Sequence, residues 1–238
     1  TLFRSERLGY KVNDLAVSGL GSTTFNGQQI AHDILAADLK VDERLVMVGY
    51  SKGLPDILEA VVMSPLAASK VTAIVGIAGA VNGSPLAEEA SKELFPLLQY
   101  LPGSICRLGD NGGLDSLRRD RRTAWLANHT LPDSVRYYSL AAFVHRDQAS
   151  LALRGGWDRL SQIDPRNDGQ LLFYDQIIPG SDLLGFAIAD HWGIAMPLNR
   201  IYPTLSGAFA NRNAYPRELV LEAIVRLIED DLLAERRS

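Results

Sequence analysis

A single cysteine, Cys106, stands in 238 residues. One thiol can form neither an internal disulfide framework nor the thiolate set of a structural zinc site. Small cross-linked scaffolds are thereby excluded, and a reducing compartment such as the cytoplasm is the expected setting. Long apolar runs are also missing: none approaches the roughly 18 residues that a membrane-spanning helix needs, so no stable membrane insertion is expected. The N-terminal TLFRSERLGY lacks the charged, apolar and small-residue order of a secretory signal. It starts on threonine within a helix-like run, which leads us to expect missing upstream sequence. Charge of one sign is scarce as well. Lys and Arg number 24 against 28 Asp and Glu, interleaved, for a net charge of -4, which provides no footprint for nucleic acid or for an anionic bilayer. A small or uncharged partner is expected. Neither an internal repeat nor a low-complexity segment occurs.

What the chain has is apolar material, 47% of its residues, enough for a full core. Length and pattern predict one α/β domain over 1–238. KVNDLAV (11–17) reads as a strand and SGLGST (18–23) as a turn. NGQQIAHDILAAD (26–38) reads as a helix with Ile30, Ile34 and Leu35 on one face. RLVMV (44–48) is a short continuous apolar run, the mark of a strand covered on both faces of a parallel sheet. A helix over 55–63 and a strand in KVTAIVGIAGA (70–80) follow, so two βα units are predicted in the first eighty residues. From 82 to 133 the pattern turns helical around a glycine-rich loop, LGDNGG (108–113), and reads as an insertion lying over the sheet. A strand in VRYYSLAAFV (135–144), a helical ASLALRGGWDRLSQI (149–163), a strand in DLLGFAIA (182–189) and a closing amphipathic helix from Arg217 complete the chain. Strands alternating with helices predict a mostly parallel sheet with helices on both faces.

Gly49-Tyr50-Ser51-Lys52-Gly53 places a serine between two glycines where a buried strand hands over to a helix. A serine at such a corner is forced into strained backbone angles, and close packing of helix on strand asks for glycine two residues before and two after. The hydroxyl is left at the carboxyl edge of the sheet. The following helix presents free N–H groups there to a developing oxyanion, with the Lys52 N–H first. A serine alcohol needs a base in hydrogen-bond reach, and the base needs an orienting carboxylate. Four histidines are available. His32 sits on the early helix and is expected at the surface, and His129 lies in the insertion. His145 and His191 both follow strands, at carboxyl ends.

The G-x-S-x-G turn between strand and helix resembles the nucleophile elbow of the α/β-hydrolases, in particular their lipase and esterase branch. The likeness runs from about Tyr10 onward. In that family the order along the chain is serine, acid, histidine, and NDG at 167–169 is similar to the loop that carries the acid in bacterial lipases. The resemblance therefore implies Ser51 as nucleophile, His191 as general base and then acid, and Asp168 as the carboxylate that fixes the imidazole. Asp164, Asp158 and Asp147 are rival acids. Asp190 is a poorer one, because neighbouring side chains on extended backbone point apart.

The likeness breaks ahead of the elbow, where the family carries a further strand and a glycine-bearing loop that supplies a second oxyanion donor. Only one strand-helix unit is predicted there, so the fold reads as lacking the N-terminal strands. The 18–23 loop is read as bordering the pocket, with Gly19, Gly21 or Ser22 as sources of the second donor. Pocket candidates are Gly21, Ser22, Tyr50 and Trp192. GLGST is not a dinucleotide fingerprint, since Thr24 takes the place of its third glycine. DNGGLDS (110–116) lacks the spacing of a calcium loop, and RRDRR (118–122) reads as a solvated helix face. No metal and no cofactor are expected. Leu94, Phe95, Leu97, Leu98, Tyr100 and Leu101 of the insertion either roof the serine, as a lid over an acyl chain, or pack the insertion onto the sheet. The implied function is hydrolysis of a small-molecule or lipid-like carboxylic ester. Acyl transfer by the same residues and a non-catalytic binding module are the rivals.

Overall fold

The computed structural model describes residues 9–89, 109–197 and 215–235. Helix α1 (Thr23–Ala36) starts three residues earlier than its apolar pattern suggests, because the Ser22 side chain caps it by accepting from the Phe25 N–H. Ile30 and Ile34 are buried, but Leu35, one step round the helix from Ile34, is exposed. Strand β1 (Leu45–Tyr50) leads into α2 (Gly53–Met63), and the short α3 (Pro65–Ala68) leads into β2 (Val71–Ile77). Between β2 and the next strand the described residues are helical: α4 (Pro85–Glu89), α5 (Gly113–Ser116) and α6 (Arg119–Asn128). The six apolar residues expected to roof the serine, Leu94 to Leu101, lie outside the described residues. Strand β3 (Arg136–Phe143), α7 (Arg154–Leu160), β4 (Asp182–Ile188) and α8 (Arg217–Glu235) complete the order.

The four strands form one sheet in the order β1-β2-β3-β4, every pairing parallel. The strand expected over 11–17 is absent: no residue there pairs, and Val12 and Leu15 are exposed. Its apolar residues, Val12, Leu15, Ala16 and Val17, do not alternate, and with no sheet neighbour a strand has nothing to hydrogen-bond to. One βα unit, not two, therefore stands in the first eighty residues.

Alternation along the strands, reset once where the β1-β2 register slips between Val71 and Ala73, sorts the core into two layers. Met47, Val71 and Ile74 face α1 and α2 and pack with Ile30, Ile34, Leu54, Ile57, Leu58 and Val61. Ala73, Val75, Tyr138, Leu140 and Ala142 face the other way, against Ile224 and Ile228 of α8. Helices thus cover both faces, as an all-parallel sheet requires. Helix α2 comes unusually close to the sheet, and glycines make the room. A Cβ on Gly49 would stand 2.5 Å from the Leu54 Cα, and one on Gly79 would stand 2.1 Å from a Leu54 methyl. Gly53 differs from its expected role, since a Cβ there would meet nothing within 4 Å.

Candidate active site

The close approach of α2 to β1 forces the corner between them to be tight. Ser51 takes a φ of +52°, a left-handed conformation that a side-chain-bearing residue holds only when its surroundings impose it. Here they do: the Ser51 N–H donates to the Ile77 carbonyl at 3.4 Å, while its own carbonyl accepts from Leu54 at 3.3 Å and Ala80 at 3.0 Å. Lys52, next along, is already right-handed (φ -59°, ψ -30°) as the residue preceding α2. Its N–H donates to no acceptor among the described residues.

His191 arrives from the turn after β4. Its Nε2 lies 2.8 Å from the Ser51 Oγ, and its Nδ1 lies 2.7 Å from the Asp168 Oδ2. Both His191 and Asp168 are buried. With the Nδ1 proton donated to Asp168, Nε2 is left to accept the serine proton. The carboxylate is held on every side. Its Oδ1 accepts from the N–H groups of Gln170 (2.9 Å) and Leu171 (2.7 Å), and its Oδ2 also accepts from the Gln176 Nε2 at 3.3 Å. The two loops are joined through backbone too, the His191 N–H donating to the Asp168 carbonyl at 2.8 Å.

The residues weighed as rivals sit elsewhere. His32 and His129 are exposed, the latter stacked on Trp125 with ring centroids 4.8 Å apart. Exposed His145 lines a groove of about 580 Å³ with Arg146, Arg154 and Trp157. Asp158 and Asp164 are bound to Arg146 and Arg166. Exposed Asp147 gives its backbone carbonyl to Arg154. Asp190 turns away from the imidazole as adjacency implied. Its carboxylate takes the N–H and hydroxyl of Ser150 (2.7 and 2.6 Å) and the Gly193 N–H (2.6 Å), which pins the histidine turn.

Among the pocket candidates, the Tyr50 hydroxyl donates to the His191 carbonyl at 2.5 Å, and its ring lies 5.1 Å from the imidazole. Burial pushes this phenol well above its ordinary pKa, and the charges of Asp168 and Asp190 push it the same way, so it stays a donor. Half-buried Trp192 follows the histidine, and its carbonyl accepts from Met196 at 2.8 Å. Gly21 and Ser22 are committed locally. The Gly21 N–H donates to the Ser18 carbonyl, and the Ser22 N–H and hydroxyl both donate to the Asp110 carboxylate at 2.7 and 2.6 Å. Asp110 thereby joins the two glycine-rich loops. Among the described residues no cluster of three or more metal-ligating side chains occurs, and no helix is long and apolar enough to cross a membrane.

Sequence reasoning missed Gln176, which grips β3 through both amide atoms at Ala142 (2.6 and 2.9 Å) while it touches Asp168. No local motif marks such a residue. It also missed a polar group beside the elbow, the buried Asn26, Asp56, Glu59 and Arg122 with the half-buried Lys52. The spacing of Lys52 and Asp56, one helical turn apart, was the available signal.

An imidazole held between a hydroxyl and a carboxylate can take the hydroxyl proton as an attack begins and return it to a leaving group. No protein-family model matches the chain, and no curated protein sequence matches it. Solved structures do. The crystal structure of a metagenomic carboxyl esterase matches with a TM-score of 0.86 at 41% identity, over 95% of this chain and 68% of that one. A lipase of Bacillus licheniformis in its mature form matches with a TM-score of 0.57 at 21% identity, over 72% of this chain and 68% of the lipase, a likeness of fold.

Proposed function

Because the chain belongs to the α/β-hydrolase superfamily, we propose that it hydrolyses carboxylic esters, with Ser51 as nucleophile, His191 as proton carrier and Asp168 as the orienting carboxylate. One observation carries this reading: the unbroken hydrogen-bond line from the Ser51 Oγ through both imidazole nitrogens to Asp168, with contacts of 2.8 and 2.7 Å. The 41% identical relative, itself a carboxyl esterase, supports the same class of reaction.

The Ser51 oxygen attacks the ester carbonyl while His191 Nε2 takes its proton, and Asp168 stabilises the imidazolium that forms. The carbonyl oxygen gains a negative charge and is met by the unengaged Lys52 N–H at the head of α2. Collapse of this adduct expels the alcohol, protonated by His191, and leaves an acyl group on Ser51. Water, deprotonated by the same imidazole, then attacks the acyl carbon and releases the carboxylic acid.

The test combines a fluorophosphonate probe with a series of nitrophenyl esters of increasing chain length. Stoichiometric labelling at Ser51 and ester turnover are expected. Ser51→Ala abolishes both, and Asp168→Asn lowers kcat by roughly 10³–10⁴-fold because the imidazole loses its tautomer. An Asp168→Asn variant with intact turnover overturns the assignment of the acid, and absence of labelling in the wild type overturns the enzyme reading.

A further inference from the structure

Beside the elbow lies a chain of polar contacts, buried at Asn26 and Asp56 and half-buried at Lys52, that the proposed reaction does not use. The Lys52 ammonium turns back onto the Asp56 carboxylate, one turn further along α2, at 2.7 and 2.8 Å from its two oxygens. The Asp56 N–H in turn donates to the Lys52 carbonyl at 3.2 Å. Residue 52 is therefore tied to residue 56 at both its backbone and its side-chain end. Asn26 of α1 continues the chain, its Nδ2 donating to Asp56 Oδ2 and to the Ser18 carbonyl, both at 2.8 Å. The loop of residues 18–22, helix α1, helix α2 and the elbow are thus joined through one carboxylate that is 1% exposed.

Stability is a poor explanation for this arrangement. Taking an ammonium and a carboxylate out of water costs about what their attraction returns, and a well-packed apolar pair would serve as well or better. Burial moves both groups against their charged forms. It pushes the Asp56 carboxyl up to about 6, against the pull of Lys52, Asn26 and Arg122, and it lowers the Lys52 ammonium despite Asp56. The pair is costly, and it is placed at the residue whose N–H follows the strained serine.

We propose that Asp56 and Asn26 are positioning residues that hold the Lys52 N–H in place for the oxyanion. This inference rests on the ester-hydrolase reading above. A tethered Lys52 side chain fixes the peptide between Ser51 and Lys52, so the donor does not have to reorganise as charge develops, and that pre-set geometry is what an oxyanion donor contributes. A displacement of about 1 Å at such a group costs on the order of a hundredfold in rate.

The experiment is steady-state hydrolysis of nitrophenyl butyrate, with each rate divided by the number of sites that a fluorophosphonate titrates. Wild type is compared with Asp56→Asn, Asn26→Ala and the double variant Lys52→Met/Asp56→Leu, each with a melting curve. The double variant removes both charges while keeping the backbone donor and apolar bulk. It is expected to melt no lower than wild type yet to lose roughly 10- to 100-fold in kcat per titrated site, with KM within about twofold. Asn26→Ala is expected to show the same split at about tenfold, and it decides the matter if Asp56→Asn does not fold. A merely structural role would lower the melting temperature or the titrated fraction and leave kcat per site unchanged. Folded variants with wild-type kcat per site overturn the positioning role alone. A wild type that neither labels nor turns over ester overturns the hydrolase reading and this inference with it.

Discussion

At the scale of single residues, the site depends on groups kept in one state by their surroundings. Asp168 is an example, since its four hydrogen-bond donors leave it no freedom to turn from the imidazole. Asp175, on the same loop, behaves differently. It is bound to Arg119 at 3.0 Å, one of its oxygens has no partner, and burial raises its pKa from 3.8 to about 6 despite the arginine. A carboxyl raised on folding contributes stability that is complete below its unfolded pKa and is lost as pH rises through its folded one. The window here runs from about pH 4 to 6. Asp175→Asn removes that titration, so its stability relative to wild type should rise between pH 4 and 7, by up to ~3 kcal/mol, in urea unfolding measured across that range. A constant difference across the window would show that Asp175 does not titrate there. Ser51, His191 and Asp168, the proposed catalytic residues, could be picked out in the sequence because the motif and the chain order of the family it resembles marked them. Gln176 and Asp190 were not readable as supports, because each acts on a partner far along the chain or through a loop whose course the sequence does not reveal.

Elements meet through steric fit, and there the motif's two glycines part company. The Cβ of an alanine at position 49 would run into the backbone of Leu54, which cannot shift without moving α2 off β1. Gly49→Ala is expected to abolish ester turnover and to cost several kcal/mol, on the order of overpacking a core or more. At position 53 there is open space, and the backbone is helical. Gly53→Ala should keep its activity and gain about 0.5–1 kcal/mol, as glycine-to-alanine changes in helices do. Melting curves and kcat for the two variants check both statements, and equal damage at the two positions would refute the steric account. Boundaries of β1, β3 and β4 could be read from sequence to within two residues, and β2 ended three residues before the expected 80, because parallel strands carry continuous apolar runs, even in β4, where Leu183, Phe186 and Ile188 are exposed. The run at 11–17 misled for the opposite reason: a mixed polar and apolar stretch becomes a strand only when a neighbour offers hydrogen bonds.

Across the whole molecule, the two core layers divide the labour. One layer seats α2 and so shapes the elbow, while the other secures α8, whose first residue, Arg217, donates to the Gly193 carbonyl in the histidine turn and whose later turns carry Ile224 and Ile228. Ile228 is 2% exposed and belongs to the second layer. Ile228→Ala should lower unfolding free energy by ~2–4 kcal/mol and leave kcat and KM for nitrophenyl esters unchanged below its melting transition. A changed KM would mean that α8 shapes the substrate site. By itself the sequence determined the class of fold and the serine corner, which follow from local apolar patterning, and it singled out His191 and Asp168 as candidates through the family resemblance, side chains that the structure brings together with Ser51. Only the tertiary structure decided which glycine the corner needs, that the N–H groups of Gly21 and Ser22 are already spent, and that Asn26, Asp56 and Lys52 form one connected unit. The reason is physical: steric contact and hydrogen-bond partnership are properties of pairs of residues in space, and residues 26 and 56 become neighbours only when α1 packs on α2.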